Sequence, residues 1–252
     1  MIGWIIAGFT NRGRVRPHNE DAVAIGGRIL TGDMDAPLVM TAPNDCCLLM
    51  IADGMGGHAQ GAMASRAVLD YLVAAVDRLS NPASCVEAIE EANQHLYGLM
   101  HEHPEALGMG STLVGAVLST DRLIAFNVGD SSCHLFSAGR LVQLSQDDVP
   151  EGESSHFGPR SHALTQALGG SSLPLPVEPH VSVDAPLAPG ETLLLCSDGL
   201  TDMVSSQTIS DTLRTAKDPL QVAKRLAAKA LSAGARDNIS LLVVRCLDPS
   251  EI

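Results

Sequence analysis

Four aspartates stand at the ends of short apolar segments, and they are the residues of this sequence best suited to chemistry. The segments are residues 47–52, 123–128, 193–196 and 239–244, which are rich in Val, Ile and Leu and predict buried β-strands. The aspartates beside them are Asp53, Asp130, Asp198 and Asp237. An isolated Asp-Gly pair is a common turn signal, so any single one of these positions is explained equally well as a turn.

Four such carboxylates together predict a metal centre if the strand ends meet in one place. Like charges about 4–6 Å apart repel and raise one another's pKa, and a divalent cation removes that conflict. Oxygen ligands without His or Cys favour Mg²⁺ or Mn²⁺ over Zn²⁺. The sequence contains no HExxH, CxxC or EF-hand loop that would indicate another kind of metal site.

A second polar cluster, residues 16–21 (RPHNED), has two interpretations. It is either a solvated charged turn or an arginine beside an acidic metal site. In the second interpretation Arg16 holds an anionic substrate, because a guanidinium matches a pair of phosphate oxygens.

Nucleotide-binding motifs do not explain the glycine-rich segment 53–58 (DGMGGH). A dinucleotide fingerprint needs G-x-G-x-x-G and an acid about 20 residues later, at the end of a second strand. Here the next glycine is Gly61, one position late, and Asp70 and Asp77 lie in a predicted helix. No G-x-x-x-x-G-K-[ST] occurs, which excludes a P-loop nucleotidase.

The composition is that of a globular protein, with 45% hydrophobic and 18% charged residues among 252. We interpret residues 1–252 as one domain. The net charge of −13 disfavours binding to nucleic acid or to anionic membranes. No segment approaches the roughly 20 apolar residues that span a bilayer, and six scattered cysteines are typical of a reduced chain. We therefore expect a cytoplasmic protein that binds neither nucleic acid nor membrane.

Three amphipathic segments predict helices over residues 59–79, 81–101 and 218–234. The second begins with Asn-Pro and the third with Asp-Pro, each a capping side chain before a proline at the first helical position. Because the helices come in blocks rather than after every strand, the pattern favours an α+β layered sandwich over a doubly wound parallel sheet. Residues 146–161 are polar and aperiodic, which predicts a functional loop.

In this order the motifs resemble the PPM family, the metal-dependent protein serine/threonine phosphatases also called protein phosphatase 2C. The segments that carry the resemblance are 16–22 (RPHNEDA), 52–58 (ADGMGGH), 108–113 (GMGSTL), 128–131 (VGDS), 195–202 (LCSDGLTD) and 236–239 (RDNI). They span nearly the whole chain. The resemblance implies a four-layer αββα sandwich of two antiparallel sheets flanked by helices, with metals in a cleft at one end, which agrees with the α+β interpretation.

The resemblance also implies which residues bind two Mg²⁺ or Mn²⁺ ions. Asp53 would bridge the ions, and Asp198 and Asp237 would complete the first site. The carbonyl oxygen of Gly54 would bind the second ion. Asp130, together with Asp198, would bind a third and weaker ion that many bacterial members contain.

Further residues would act around these ions. Glu20 and Asp21 would hold water molecules of the second ion, and Arg16 would anchor the phosphate. In the implied reaction a water shared by two cations attacks phosphorus in line, so no Cys or Ser nucleophile is expected. The catalytic residues would then be Arg16, Asp53 and Asp198.

The sequence departs from the family pattern in three places. Met55 stands where many eukaryotic members carry a histidine thought to protonate the leaving group, and His58 is either a replacement for it or a structural residue at a helix start. Ser132 replaces a common arginine, and we expect altered packing near Asp130. The flap, residues 147–161, is short, and we expect an open cleft.

The implied activity is removal of phosphate from Ser and Thr of proteins by a monomer that opposes a cognate Ser/Thr kinase in bacterial signalling. The compact flap resembles phosphatases that act on kinase-controlled type VI secretion. Two alternatives stay open, a catalytically weak interaction module of the same fold and a metallohydrolase of small phosphate esters. The intact Asp53, Asp198 and Asp237 argue against the first, and an open cleft suits a protein loop better than a small metabolite.

Overall fold

The computed structural model of the chain describes residues 3–42, 46–56, 59–150 and 163–246. The strands are β1 (Trp4–Asn11), β2 (Ala22–Ile25), β3 (Arg28–Thr31), β4 (Leu38–Ala42), β5 (Cys47–Ala52), β6 (Gly54–Met55), β7 (Gly110–Ser111), β8 (Leu113–Leu118), β9 (Leu123–Val128), β10 (Ser132–Ser137), β11 (Arg140–Gln143), β12 (Leu168–Gly169), β13 (His180–Asp184), β14 (Thr192–Cys196) and β15 (Ile239–Cys246). The α-helices are α1 (Ala59–Ala74), α2 (Pro82–Glu102), α3 (Asp198–Thr201), α4 (Ser206–Thr215) and α5 (Pro219–Ser232).

Two antiparallel sheets of six strands pack face to face. Their strand orders are β11-β10-β14-β15-β1-β4 and β13-β9-β8-β5-β2-β3, and β12, β7 and β6 form a small third sheet. Helices α1 and α2 cover the outer face of the second sheet, and α4 and α5 cover the outer face of the first. The four-layer αββα sandwich expected from the family resemblance is confirmed.

The central strands are apolar on both faces, because each sheet packs against helices on one face and against the other sheet on the opposite face. In β5, Leu48 and Met50 pack against the helices, whereas Leu49 and Ile51 pack against the opposite sheet. Successive side chains of a strand point to opposite faces, so a strand between two layers needs an uninterrupted apolar run. Full burial of each such side chain contributes about 1.5–3 kcal/mol relative to exposure.

The three predicted helices are present, with one boundary corrected. The side chain of Asn81 caps α2 by accepting hydrogen bonds from two amides of the first turn, and Asp218 caps α5 at 3.1 Å from the amide of Leu220. The first helix ends at Ala74, because residues 76–78 tighten into a separate 3₁₀ turn. None of the helices in the described part of the chain is long and apolar enough to cross a bilayer.

The strand ends that precede or follow the four aspartates meet at one end of the sandwich. Strand β5 ends directly before Asp53, β9 ends before Gly129, and β14 ends two residues before Asp198. Strand β15 is antiparallel to β14, so its first residues, which follow Asp237, lie beside the end of β14. The antiparallel pairing therefore converts four distant sequence positions into one edge of the molecule.

Candidate active site

A cavity of about 530 Å³ opens where these strand ends meet. Its described lining includes the backbone of Gly54, one guanidinium and five carboxylates, which belong to Arg16, Glu20, Asp53, Asp130, Asp198 and Asp237. Of the site residues that the sequence predicts, Asp21 is the one that does not line this cavity. The structure thus brings the predicted residues together, with Asp21 in a different position from the others.

The carboxylates of the described lining outnumber its positively charged side chains. Asp53 is half-buried, and loss of hydration raises the pKa of its carboxyl well above the usual value. Repulsion from Asp21, Asp198, Asp237 and Asp130 raises this pKa further. Arg16 is the sole cationic side chain among the described lining residues. Such a cluster is stable in its ionised form only beside additional positive charge.

Asp21 lies buried next to this cluster, and the surroundings of its two carboxylate oxygens indicate whether a cation fits here. Its Oδ2 accepts a hydrogen bond from Ser197 Oγ at 3.0 Å, while its Oδ1 is buried without a hydrogen-bond partner. Burial is the main cause that raises the pKa of Asp21 to about 7. An unsatisfied buried oxygen is costly. A cation or its bound water would satisfy this oxygen, so the all-oxygen donor set fits hard divalent ions.

Arg16 contacts one of the predicted metal ligands directly. Its Nη2 donates a hydrogen bond to Asp237 Oδ2 at 2.5 Å, and this bond is the main cause that raises the pKa of Arg16. Across the described residues, no three Asp, Glu, His or Cys side chains are arranged to hold an ion by themselves. An ion here therefore needs the Gly54 carbonyl or water as well, and the grouping of Asp53, Asp198 and Asp237 around one ion stays a prediction.

Two glycines let three segments approach closely at the cavity wall. A Cβ atom at Gly54 would lie 2.1 Å from the carbonyl oxygen of Gly61 and 2.6 Å from that of Glu20. A Cβ atom at Gly61 would lie 2.0 Å from Glu20 Oε2. A side chain at residue 54 would collide with backbone atoms, and one at residue 61 would displace the Glu20 carboxylate and press on the Gly54 backbone. The close approach of these segments therefore depends on glycine at residues 54 and 61.

Asn238 positions the N-terminal loop, a role that the sequence interpretation did not assign. Its buried Nδ2 donates to the carbonyl oxygens of Arg12 and His18 at 3.1 and 2.9 Å, and its Oδ1 accepts from the amide of Glu20 at 2.8 Å. The loop that carries Arg16 is thereby tied to the start of β15. The asparagine of the RDNI motif could have indicated this role in the sequence, because one side-chain amide can donate two hydrogen bonds and accept others at the same time.

Asp148 braces the turn before Asp130, which the sequence interpretation also missed. Its Oδ2 accepts from the amide of Gly129 at 2.7 Å, and its amide donates to the Gly129 carbonyl at 3.1 Å. Gln166 Nε2 donates to its Oδ1 at 2.8 Å, and His180 Nε2 lies 2.8 Å from the same oxygen. Because Gly129 has a φ of +99°, this brace fixes a turn that other residues rarely adopt.

The departures from the family pattern have structural counterparts where the residues are described. Ser132 Oγ lies 2.9 Å from His134 Nε2 and both residues are buried, so a hydrogen-bonded polar pair occupies the position at which an arginine is common; the expected change of packing near Asp130 stays a prediction. Met55 lines the cavity, whose described lining contains no histidine. His58 and residues 151–161 of the flap lie outside the described residues, so their roles stay predictions.

The family model for protein phosphatase 2C matches residues 34–233, which is most of the chain. The chain belongs to the protein phosphatase 2C family. The family resemblance drawn from the motifs is therefore confirmed, together with the enzyme class that it implies, protein serine/threonine phosphatase.

Similar proteins agree with this assignment over nearly the full length of the chain. The serine/threonine phosphatase stp of Listeria welshimeri is 32% identical and aligns over 93% of this chain and 93% of its own. The catalytic domain of the serine/threonine protein phosphatase PstP, solved with two manganese ions, is 30% identical with a TM-score of 0.78, covering 98% of this chain and 100% of that one. PppA, a key regulatory component of T6SS in Pseudomonas aeruginosa, is 29% identical with a TM-score of 0.75, and the match covers 97% of this chain and 98% of that one.

Proposed function

We propose that this phosphatase hydrolyses phosphothreonine and phosphoserine on proteins with two Mg²⁺ or Mn²⁺ ions, and that residues 1–252 form one catalytic unit. The observation that carries the proposal is the convergence of five carboxylates and one guanidinium among the described residues that line one cavity. The two manganese ions of the PstP structure support it. The proposed ligands are Asp53, the Gly54 carbonyl, Asp130, Asp198 and Asp237, with Glu20 and Asp21 holding bound water.

The chain's own residues divide the work of the reaction. The chemistry that two such ions supply when bound is an acidified water as nucleophile and charge neutralisation at the phosphoryl oxygens. Arg16 holds the phosphate by hydrogen bonds from its guanidinium, which Asp237 retains at the cavity edge. Asn238 keeps Arg16 and Glu20 in reach of that phosphate by fixing the backbone of their loop.

Release of phosphate from a phosphothreonine peptide tests the proposal. We expect turnover with Mn²⁺, its loss in EDTA and its return when Mn²⁺ is restored. Asp198→Asn should lower turnover by about a hundredfold, since it removes charge from a ligand while keeping the side chain's shape. Its melting temperature should remain near that of the wild type. Asp70→Asn is the matched control, because Asp70 is exposed on α1 and pairs with Arg66 at 2.7 Å.

The same assay distinguishes the alternatives. Turnover that is insensitive to EDTA, or near-normal turnover of Asp198→Asn, would contradict the proposed ligands. A free phosphate monoester hydrolysed as efficiently as the peptide would favour a metallohydrolase of small esters. Binding of Mn²⁺ by calorimetry without any turnover would favour an interaction module.

We further propose that in the cell this phosphatase acts as a cytoplasmic monomer against a Ser/Thr kinase that controls type VI secretion. Its similarity to PppA of Pseudomonas aeruginosa supports this role. A deletion strain should show increased threonine phosphorylation on secretion components by quantitative phosphoproteomics. Wild-type protein should reverse the increase, and Asp198→Asn should not. Unchanged phosphorylation in the deletion strain would remove the secretion role.

A further inference from the structure

Two arginines near the cavity carry no balancing charge, although the chain as a whole is strongly acidic, with a net charge of −13. Arg14 and Arg236 are exposed, and neither side chain forms an ion pair or hydrogen bond within the described residues. Six other arginines are paired with carboxylates, in Arg12–Asp33, Arg16–Asp237, Arg66–Asp70, Arg78–Glu91, Arg122–Asp121 and Arg214–Asp211. Arg28 and Arg140 are also exposed without an ion pair among the described residues, but they lie at hairpin turns. Two unpaired guanidiniums near the cavity are therefore available to an external anion.

Backbone contacts bring the segments of these two arginines together. The amide of Arg14 donates to the carbonyl oxygen of Ala235 at 2.9 Å. A Cβ atom at Gly13 would lie 2.3 Å from the carbonyl oxygen of Asp237 and 2.6 Å from that of Ala235. The N-terminal loop thus lies directly against the segment before β15, in an approach that requires glycine.

The same two segments form part of the cavity wall. Arg16 lies two residues after Arg14 and lines the cavity, and Asp237 directly follows Arg236 and also lines it. Arg14 and Arg236 consequently flank the residue proposed to hold the phosphate. We call these two residues the arginine rim.

We propose that the arginine rim binds acidic side chains next to the phosphorylated residue, so that this phosphatase prefers phosphosites with acidic neighbours. The inference rests on the proposed function and names its substrate class. An acidic peptide is repelled by the net charge and by the carboxylates of the cavity, whereas the rim places two positive charges beside that cavity. Guanidiniums suit this role because they bind carboxylates through two parallel hydrogen bonds.

Two phosphothreonine peptides of equal length test the preference, one with Asp and Glu beside the phosphothreonine and one with Asn and Gln. We expect the wild type to show a kcat/KM about fivefold higher for the acidic peptide, since exposed charge pairs have modest effects. In Arg14→Gln/Arg236→Gln this ratio should fall to about one through a higher KM for the acidic peptide. In the wild type, raising the salt from about 0.05 M to 0.5 M should also lower it, because salt screens exposed charges.

Arg28→Gln/Arg140→Gln is the matched control. Both arginines are exposed at hairpin turns, and Arg140 is paired with the last residue of β10, about 17 Å along the strand from its start beside the cavity. This control removes the same charge and should keep the fivefold ratio.

Three results would overturn the inference. These are equal use of both peptides by the wild type, a preference that survives in the rim variant, and a preference that the control abolishes equally. If the wild type hydrolyses neither peptide, both the proposed function and this inference are overturned. If it hydrolyses both peptides equally well, only this inference is overturned.

Discussion

Replacing Asp53 by Asn should strongly lower turnover and, at the same time, raise the melting temperature of the metal-free protein. Loss of hydration is the main cause that raises the pKa of the Asp53 carboxyl, and repulsion from Asp21, Asp198, Asp237 and Asp130 raises this pKa further. Asparagine keeps the shape of the side chain but carries no charge, so the repulsion within the metal-free cluster falls. Turnover should fall by about a thousandfold because a proposed metal ligand loses its charge.

Calorimetry in EDTA and in Mn²⁺, with phosphate release in parallel, measures both effects of Asp53→Asn. In EDTA the variant should melt about 2–4 °C higher for each kcal/mol of repulsion removed. Added Mn²⁺ should stabilise the wild type, by about 2.7 kcal/mol at a hundredfold excess over Kd, and the variant far less. Asp70→Asn should match the wild type in both measurements. A metal-free variant that melts lower, or one that retains turnover, would contradict the repulsive metal cluster.

Gly54→Ala should lower both stability and activity. The new Cβ would lie 2.1 Å from the carbonyl oxygen of Gly61 and 2.6 Å from that of Glu20, and backbone atoms cannot move aside as a flexible side chain can. We expect a loss of about 3 kcal/mol or more in the free energy of unfolding. Because the shift displaces the Gly54 carbonyl and Glu20, turnover with Mn²⁺ should fall by about a hundredfold.

Thermal melting and phosphate release test Gly54→Ala, with Gly98→Ala as the control. Gly98 is exposed on α2, and a Cβ atom there has no atom within 4 Å. Alanine in this helix should stabilise the protein by about 0.5–1 kcal/mol and leave turnover unchanged. A Gly54→Ala protein with the melting temperature and turnover of the wild type would refute the close packing at the cavity wall.

The sequence by itself determined the strands and helices that depend on local pattern. Residues 47–52 and 123–128 were predicted as strands and have those bounds, because a strand covered on both faces needs an unbroken apolar run. The starts of α2 and α5 were predictable because Asn81 and Asp218 cap amides only a few residues away. The six motifs between residues 16 and 239 were sufficient for the family as a set, because the resemblance rests on residue types in a fixed order along the chain.

Only the tertiary structure decided which of these pieces touch. Asn238 accepts from the amide of Glu20 across 218 positions of sequence, and Arg14 meets the segment of Arg236 through one backbone hydrogen bond. Asp21 belongs to the same sequence motif as Glu20, yet the structure buries it next to the carboxylate cluster rather than in the cavity lining, since it directly precedes the fully buried strand β2. Hydrophobic periodicity specifies which face of an element is buried. It does not specify which strand ends become neighbours, because antiparallel pairing and layer packing of the whole chain determine that.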